Sequence, residues 1–169
     1  MSDSSMNPVT IRSARPGDAP LILELIQALA AYEKLSHEVV ATADGLDQHL
    51  FGERPYAEAL MAEVGSTAVG FALYFHNYST FLGRPGIYLE DLFVQPEHRG
   101  RGIGKRLLAQ LAQIALARGC GRLEWSVLDW NEPAIAFYRS LGARQLTEWI
   151  GNRVTGDALQ ALAATAEDA

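Results

Sequence analysis

The chain has 169 residues, 49% hydrophobic and 20% charged, enough for one domain that buries a core without cross-links. With 20 acidic against 14 basic side chains the net charge is −6, which argues against a nucleic-acid partner. A single cysteine, Cys120, excludes an intrachain disulfide, and no apolar run is long enough to span a membrane. Met1–Pro8 is polar and lacks the form of a signal peptide, so a cytoplasmic protein is expected.

Residues 1–8 read as a flexible tail and residues 9–169 as one domain. Val9 to Ala14 has strand character and is broken by Pro16-Gly17-Asp18. Asp18 is placed to cap a helix with Ile22, Leu25, Ile26, Leu29 and Tyr32 on one face, and Thr42 to cap a second helix through Leu50. Pro55 to Val64 and Thr67 to Tyr78 read as strands joined by a hairpin turn at Gly65-Ser66. Gly83 to Gly86 reads as a loop before an apolar strand, Ile87 to Val94. A helix over Gly102 to Arg118 and a strand over Arg122 to Leu128 follow, then a helix from Glu132. Ala143 to Ile150 reads as a strand, a last short strand is allowed around Arg153, and Asp157 to Ala166 is an Ala-rich terminal helix. Interleaved strands and helices give an α/β fold built on one mixed, strongly twisted β-sheet flanked by helices.

Chemistry concentrates in two segments. The first is Val94-Gln95-Pro96-Glu97-His98-Arg99-Gly100-Arg101-Gly102-Ile103-Gly104-Lys105, a strand, a glycine-rich turn and a helix start. Glycines let backbone N–H groups converge, and a helix N-terminus adds unpaired donors, which together suit a phosphate. The spacing is not that of a dinucleotide fingerprint, and Arg106 after Lys105 breaks the P-loop pattern. What remains is R-x-x-G-x-G, at Arg99, Gly102 and Gly104; a plain glycine-rich turn with solvated cations is the alternative. The second segment is Asn131-Glu132-Pro133-Ala134-Ile135-Ala136-Phe137-Tyr138, closed by Gly142-Ala143. Asn131 is a good N-cap, Pro133 suits a first turn and Gly142 is a natural stop.

In this order the two segments resemble the signatures of the GNAT superfamily of acyl-CoA-dependent N-acetyltransferases. The run Tyr88-Leu89-Glu90-Asp91-Leu92-Phe93-Val94, with Leu29-Ala30-Ala31-Tyr32-Glu33 and Phe51-Gly52-Glu53-Arg54-Pro55, is similar to the spermidine/spermine and thialysine N-acetyltransferase branch. The likeness covers residues 9–145 and weakens beyond Leu146. It implies a GNAT-like fold, acetyl-CoA as co-substrate and acetyl transfer to a small primary amine (a polyamine, a diamine or a lysine analogue) by direct attack in a ternary complex.

The same resemblance implies the site residues. The CoA site takes Leu92, Phe93 and Val94, then Arg99, Gly100, Arg101, Gly102, Ile103, Gly104 and Lys105, then Asn131, Pro133, Ala134 and Phe137. Tyr138 and Glu90 are the catalytic pair, and Tyr32, Glu33, Phe81, Glu90 and Asp91 frame the amine.

Chemistry supports two of these roles independently. A lysine-like amine has a pKa near 10, so it must lose a proton before attack, and a carboxylate in a cleft can take it. Glu90 and Asp91 interrupt an apolar strand, where carboxylates are costly unless exposed in a cleft or partnered. A phenol such as Tyr138 can protonate the departing thiolate; the same residue could instead anchor its helix on the sheet.

Phe81 stands where the branch has tryptophan, Ala31 where a lysine is common, and the intervening loop is longer, which leaves the choice of amine open. Another amino-acid-like or xenobiotic amine is the alternative within the class, and a non-catalytic acyl-CoA-binding sensor outside it. His37, His49, His76 and His98 lack ligand spacing, so no metal is expected, and Cys120, with no histidine near in sequence, reads as a structural thiol. A homodimer is implied by the resemblance, and Trp149 and Ile150 are apolar residues suited to an interface.

Overall fold

The computed structural model describes residues 7–168. Those residues fall into two compact units, one ending at Ser126 and one beginning at Val127. The first unit holds a five-stranded sheet in the order β1-β2-β3-β4-β5: β1 (Val9–Ser13), β2 (Glu58–Val64), β3 (Thr67–Ser79), β4 (Arg84–Val94) and β5 (Leu123–Trp125). β1 to β4 run antiparallel in sequence, and β5 lies parallel to β4 after a helical crossover, so the sheet is mixed as expected. Helices α1 (Ala19–Tyr32) and α2 (Ala43–Phe51) precede β2, and α3 (Ile103–Ala117) makes the crossover.

The core follows strand alternation. Ala59, Met61, Phe71 and Phe93 pack with Ile22 and Leu25 of α1 and Leu50 of α2. The intervening strand residues Leu60, Ala72 and Ile87 are also buried, as are Ile103, Leu107, Leu108 and Leu111 of α3. Both faces of the sheet are thus apolar, which is why its strands read as near-continuous hydrophobic runs.

Several expectations are corrected. Asp18 stands at the N-cap position of α1 but caps no helix N–H with its side chain; its carboxylate accepts from the Arg12 guanidinium at 2.7 and 3.0 Å and from the Arg15 N–H at 2.8 Å. Glu63 holds the other side of Arg12 at 2.9 Å, and the nearby cation keeps the buried Asp18 carboxyl below its usual range. Thr42 caps α2 as expected, its Oγ1 accepting from the Gly45 N–H at 3.1 Å. Arg84 to Gly86 is not loop but the start of β4, paired with Ser79 to Asn77. Pro85 is tolerated because β5 pairs only from Ile87 onward, and a Cβ at Gly86 would meet Asn77 Oδ1, so that side chain would have to shift.

Cys120 is buried, and the fold brings His76 beside it, Nδ1 to Sγ 3.9 Å. Arg118 can only donate, so the His76 Nε2 it meets at 2.9 Å accepts, and Nδ1–H donates to the Gly86 carbonyl. Arg118 also forks onto Glu58 at 2.6 and 2.8 Å, which ties the end of α3 to β2. Of the expected tail, residues 1–6 lie outside the described residues; the Asn7 carbonyl accepts from Arg101 and the Pro8 carbonyl from the Gly65 N–H.

The second unit contains α4 (Glu132–Ser140) and α5 (Gly156–Ala164), with a 3₁₀ turn over Thr165–Asp168. Neither Ala143 to Ile150 nor the segment around Arg153 is a strand. Arg144 pairs with Glu148 at i,i+4 across 3.4 Å, and Trp149 and Ile150 are exposed. The apolar residues there invited a strand assignment, but no neighbouring strand is present among the described residues to complete a ladder.

Candidate active site

The site begins with a register fault. Leu73 of β3 pairs with Asp91 and Tyr74 with Leu89, which leaves Glu90 without a β3 partner, a β-bulge in the middle of β4. Because Leu73 and Tyr74 point to opposite faces, so do Asp91 and Leu89. Asp91 thereby joins the face of Phe93 and α1, while Leu89 stays in the core opposite. Glu90 is exposed. Asp91 is partly buried, and its carboxyl is pushed up to about 6, first by burial and then by the negative charges of Glu90 and Glu33. Burial also raises the carboxyl of Glu33.

Glu33 is held there by the way α1 ends. The Leu35 N–H reaches the Ala30 carbonyl at 2.8 Å and the Lys34 N–H reaches the Ala31 carbonyl at 3.2 Å, the two bonds of a Schellman motif. Lys34 takes the left-handed position, φ 62°, that glycine usually fills. Three carboxylates from β4 and the end of α1 thus converge, and together they suit a cation.

The same bulge separates β4 from β5. Pairing between them covers Ile87–Leu89 against Leu123–Trp125 and stops one residue before Glu90, so the expected strand to Leu128 is cut to three residues. Among the described residues, Leu92 to Val94 pair with β3 on one side only. A free strand edge of this kind can hydrogen-bond an extended amide chain.

Beyond that edge come a 3₁₀ turn at Pro96–His98, then Gly100 and Gly102 with φ 77° and 73°, then α3. A Cβ placed at Gly100, Gly102 or Gly104 would meet nothing within 4 Å, so packing inside the protein does not demand these glycines. Gly104 lies in α3 itself, where glycine is disfavoured over alanine by up to about 1 kcal/mol. A loop that keeps its open side clear of side chains at the start of a helix, next to a one-sided strand edge, fits the pyrophosphate and amide arm of an acyl-CoA.

The three cations divide. Lys105 is exposed at the start of α3. The Arg101 guanidinium donates to the Asn7 carbonyl at 3.1 Å. Arg99 turns back: Nε donates to the Val94 carbonyl at 3.0 Å, and the guanidinium carbon lies 4.8 Å from the Tyr32 ring centre and 5.6 Å from that of Phe93. Tyr32, Glu33, Asp91, Phe93 and Arg99 therefore form one neighbourhood.

The remaining residues of the predicted site lie on α4. Asn131 Oδ1 accepts from the Ala134 N–H at 3.4 Å, which caps the helix as its sequence requires, with Pro133 in the first turn. Phe137 and Tyr138 are partly buried, their ring centres 5.5 Å apart. Gly142 ends the helix at φ 90°.

Phe81 does not join the carboxylates. It is 99% exposed in the β3–β4 turn, and the seven steps of strand from Arg84 to Asp91 span about 23 Å. The bulge and the Arg99–Tyr32 stacking carry no motif of their own; two adjacent carboxylates in an apolar strand were the available trace of the first.

Residues 23–143 match the Acetyltransferase (GNAT) family. The chain is similar to a thialysine N-epsilon-acetyltransferase of Sus scrofa, 44% identical over 94% of this chain and 99% of the relative. It is also similar to the L-ornithine N5-acetyltransferase NATA1 of Arabidopsis thaliana, 35% identical over 90% of this chain and 86% of that one. Among solved structures, an integron cassette protein from the mobile metagenome of V. cholerae, VCH_CASS6, superposes with a TM-score of 0.78 at 29% identity, covering 94% of this chain and 99% of that one.

Proposed function

As a chain that belongs to the acetyltransferase (GNAT) family, this protein is an N-acetyltransferase, and we propose that it acetylates a small primary amine by direct attack within a ternary complex. Acetyl-CoA supplies the activated acyl group as a thioester. The observation that carries the reading is that a clear-sided glycine cradle and a carboxylate pushed up to about 6 lie on one continuous strand-to-helix segment.

The chain's own groups answer the chemical needs in turn. Backbone N–H groups of residues 100–104, with Lys105, hold the pyrophosphate, and the open edge of Leu92–Val94 pairs with the amide arm. Glu33, Glu90 and Asp91 hold the ammonium of the substrate. Glu90 or Asp91 accepts its proton, directly or through water; the carboxyl of Asp91, pushed up to about 6, is matched to that task. A backbone N–H near Leu92 stabilises the oxyanion. Tyr138 returns a proton to the departing thiolate.

Three converging carboxylates favour a substrate with more than one positive charge or a long cationic arm. Relatives named for thialysine and L-ornithine support an ω-amino acid as first choice, with a polyamine next. The reading takes residues 9–169 as one catalytic domain of a cytoplasmic enzyme. It also takes the enzyme as a homodimer, supported by the exposed Trp149, Ile150, Leu159 and Leu162.

A thermal-shift panel tests the cradle. CoA and acetyl-CoA should raise the melting temperature, while ATP and NAD should not. Stabilisation by ATP or NAD alone would overturn the assignment.

A further inference from the structure

The arginine that opens the glycine motif does not extend from the loop. Its Nε donates to the Val94 carbonyl at the end of β4, and its planar head stacks on the ring of Tyr32, the last residue of α1. Phe93 backs the same head at 5.6 Å. The next residue after Tyr32 is Glu33, which caps α1 and whose charge acts on Asp91. One residue therefore adjoins the cradle along the chain while its side chain touches the strand end and the helix end that carries an acceptor-site carboxylate.

On the reading above, we infer that Arg99 is a positioning residue that couples occupancy of the cradle to the order of the acceptor site. Arg99 adjoins the Gly100–Gly104 loop, so a phosphate that fixes the loop backbone also fixes the root of this side chain. The stacked guanidinium passes that order to Tyr32, and through the helix end to Glu33. Coupling of this kind is reciprocal: the amine tightens CoA binding by the factor that CoA tightens the amine, typically about 5- to 150-fold. Lysine could keep the charge but not the flat stack or the Nε hydrogen bond. Leucine in place of Tyr32 removes the ring while keeping an apolar residue at a site only partly covered.

Hydrogen–deuterium exchange on the full chain, with CoA alone as the probe, tests this. In the unaltered protein, CoA should slow exchange in the cradle and also in residues 30–36 by at least about fivefold. In Tyr32→Leu and in Arg99→Lys the cradle should still be protected by CoA, while protection of residues 30–36 is lost. A CoA dissociation constant within about threefold of the original in Tyr32→Leu would separate coupling from a general loss of fold. If CoA protects the cradle and leaves residues 30–36 unchanged, or if both variants retain that protection, the inference is wrong. Failure of CoA to bind at all would overturn the acetyltransferase site itself, and the coupling with it.

Discussion

Leu89 and Asp91 stand two residues apart on one strand and face opposite sides of the sheet, because the bulge at Glu90 advances β4 by one residue against β3. Without the bulge Asp91 would share the face of Leu89 and point its carboxylate into an apolar core. With it, Asp91 meets the end of α1, and β4 parts from β5 immediately beyond Leu89. One irregularity thus creates the acid cluster and the open strand edge together.

The raised carboxyl of Asp91 gives a pH prediction with a definite sign. Between its ordinary value of 3.8 and about 6 the native state binds more protons than the unfolded state, so folding stability falls as pH rises through that window. Asp91→Asn should therefore be more stable than the original at pH 8, by up to about 3 kcal/mol, with the gain vanishing near pH 4. The kcat/KM profile of the original should show an acid limb near pH 6 that the variant lacks. Chemical denaturation at both pH values and a pH–rate profile check the two halves.

Gly104→Ala should move stability and ligand affinity in opposite directions. The added methyl meets no protein atom and improves the helix, worth up to about 1 kcal/mol or roughly 2–4 °C in melting temperature. The same methyl stands where phosphate oxygens approach, so CoA affinity should fall about tenfold, the 1.4 kcal/mol of one weakened charge-assisted contact. Melting curves with and without CoA measure both.

Lys34 holds a left-handed conformation that L side chains adopt at a cost of about 1–2 kcal/mol. Lys34→Gly should exceed Lys34→Ala in stability by about 1 kcal/mol, because alanine removes the side chain yet keeps the strain. Equal stabilities in urea denaturation would show that the turn carries no strain.

Much of this was legible in the chain. Positive φ at Gly100, Gly102 and Gly142 and the cap at Asn131 follow from residue types whose local geometry is distinctive. Long-range effects were not. Nothing local marks Glu90 as the bulged residue, since the shift arises from pairing with Leu73 and Tyr74. The stacking of Arg99 on Tyr32 left no local trace because the two residues are distant in sequence. Asp18 read as a cap because its true partner, Arg12, sits on β1. Gly83, Pro85 and Gly86 suggested a loop, although Pro85 fits at the start of β4, two residues before its pairing with β5 begins.

The exposed apolar residues of the second unit, Trp149, Ile150, Leu159 and Leu162, predict self-association. Light scattering at micromolar concentration should give a mass near twice 18.4 kDa, and Trp149→Ser should lower it. A mass of 18.4 kDa for the unaltered protein would exclude the dimer.

Tyr138→Phe removes a single oxygen. It should lower kcat by about 10²- to 10⁴-fold, the usual contribution of a general acid, while CoA affinity stays within about threefold. Loss of CoA binding with unchanged turnover at saturation would make Tyr138 a packing residue and leave solvent as the proton donor.

Acetyl transfer itself is tested most directly by free-thiol release from acetyl-CoA across a panel of thialysine, L-ornithine, spermidine and an aminoglycoside. Amine-dependent release is expected with at least one of the first three, at a rate that depends on Asp91 and Tyr138. No release above hydrolysis with any amine, from a protein that binds CoA, would show a binding module in place of an enzyme.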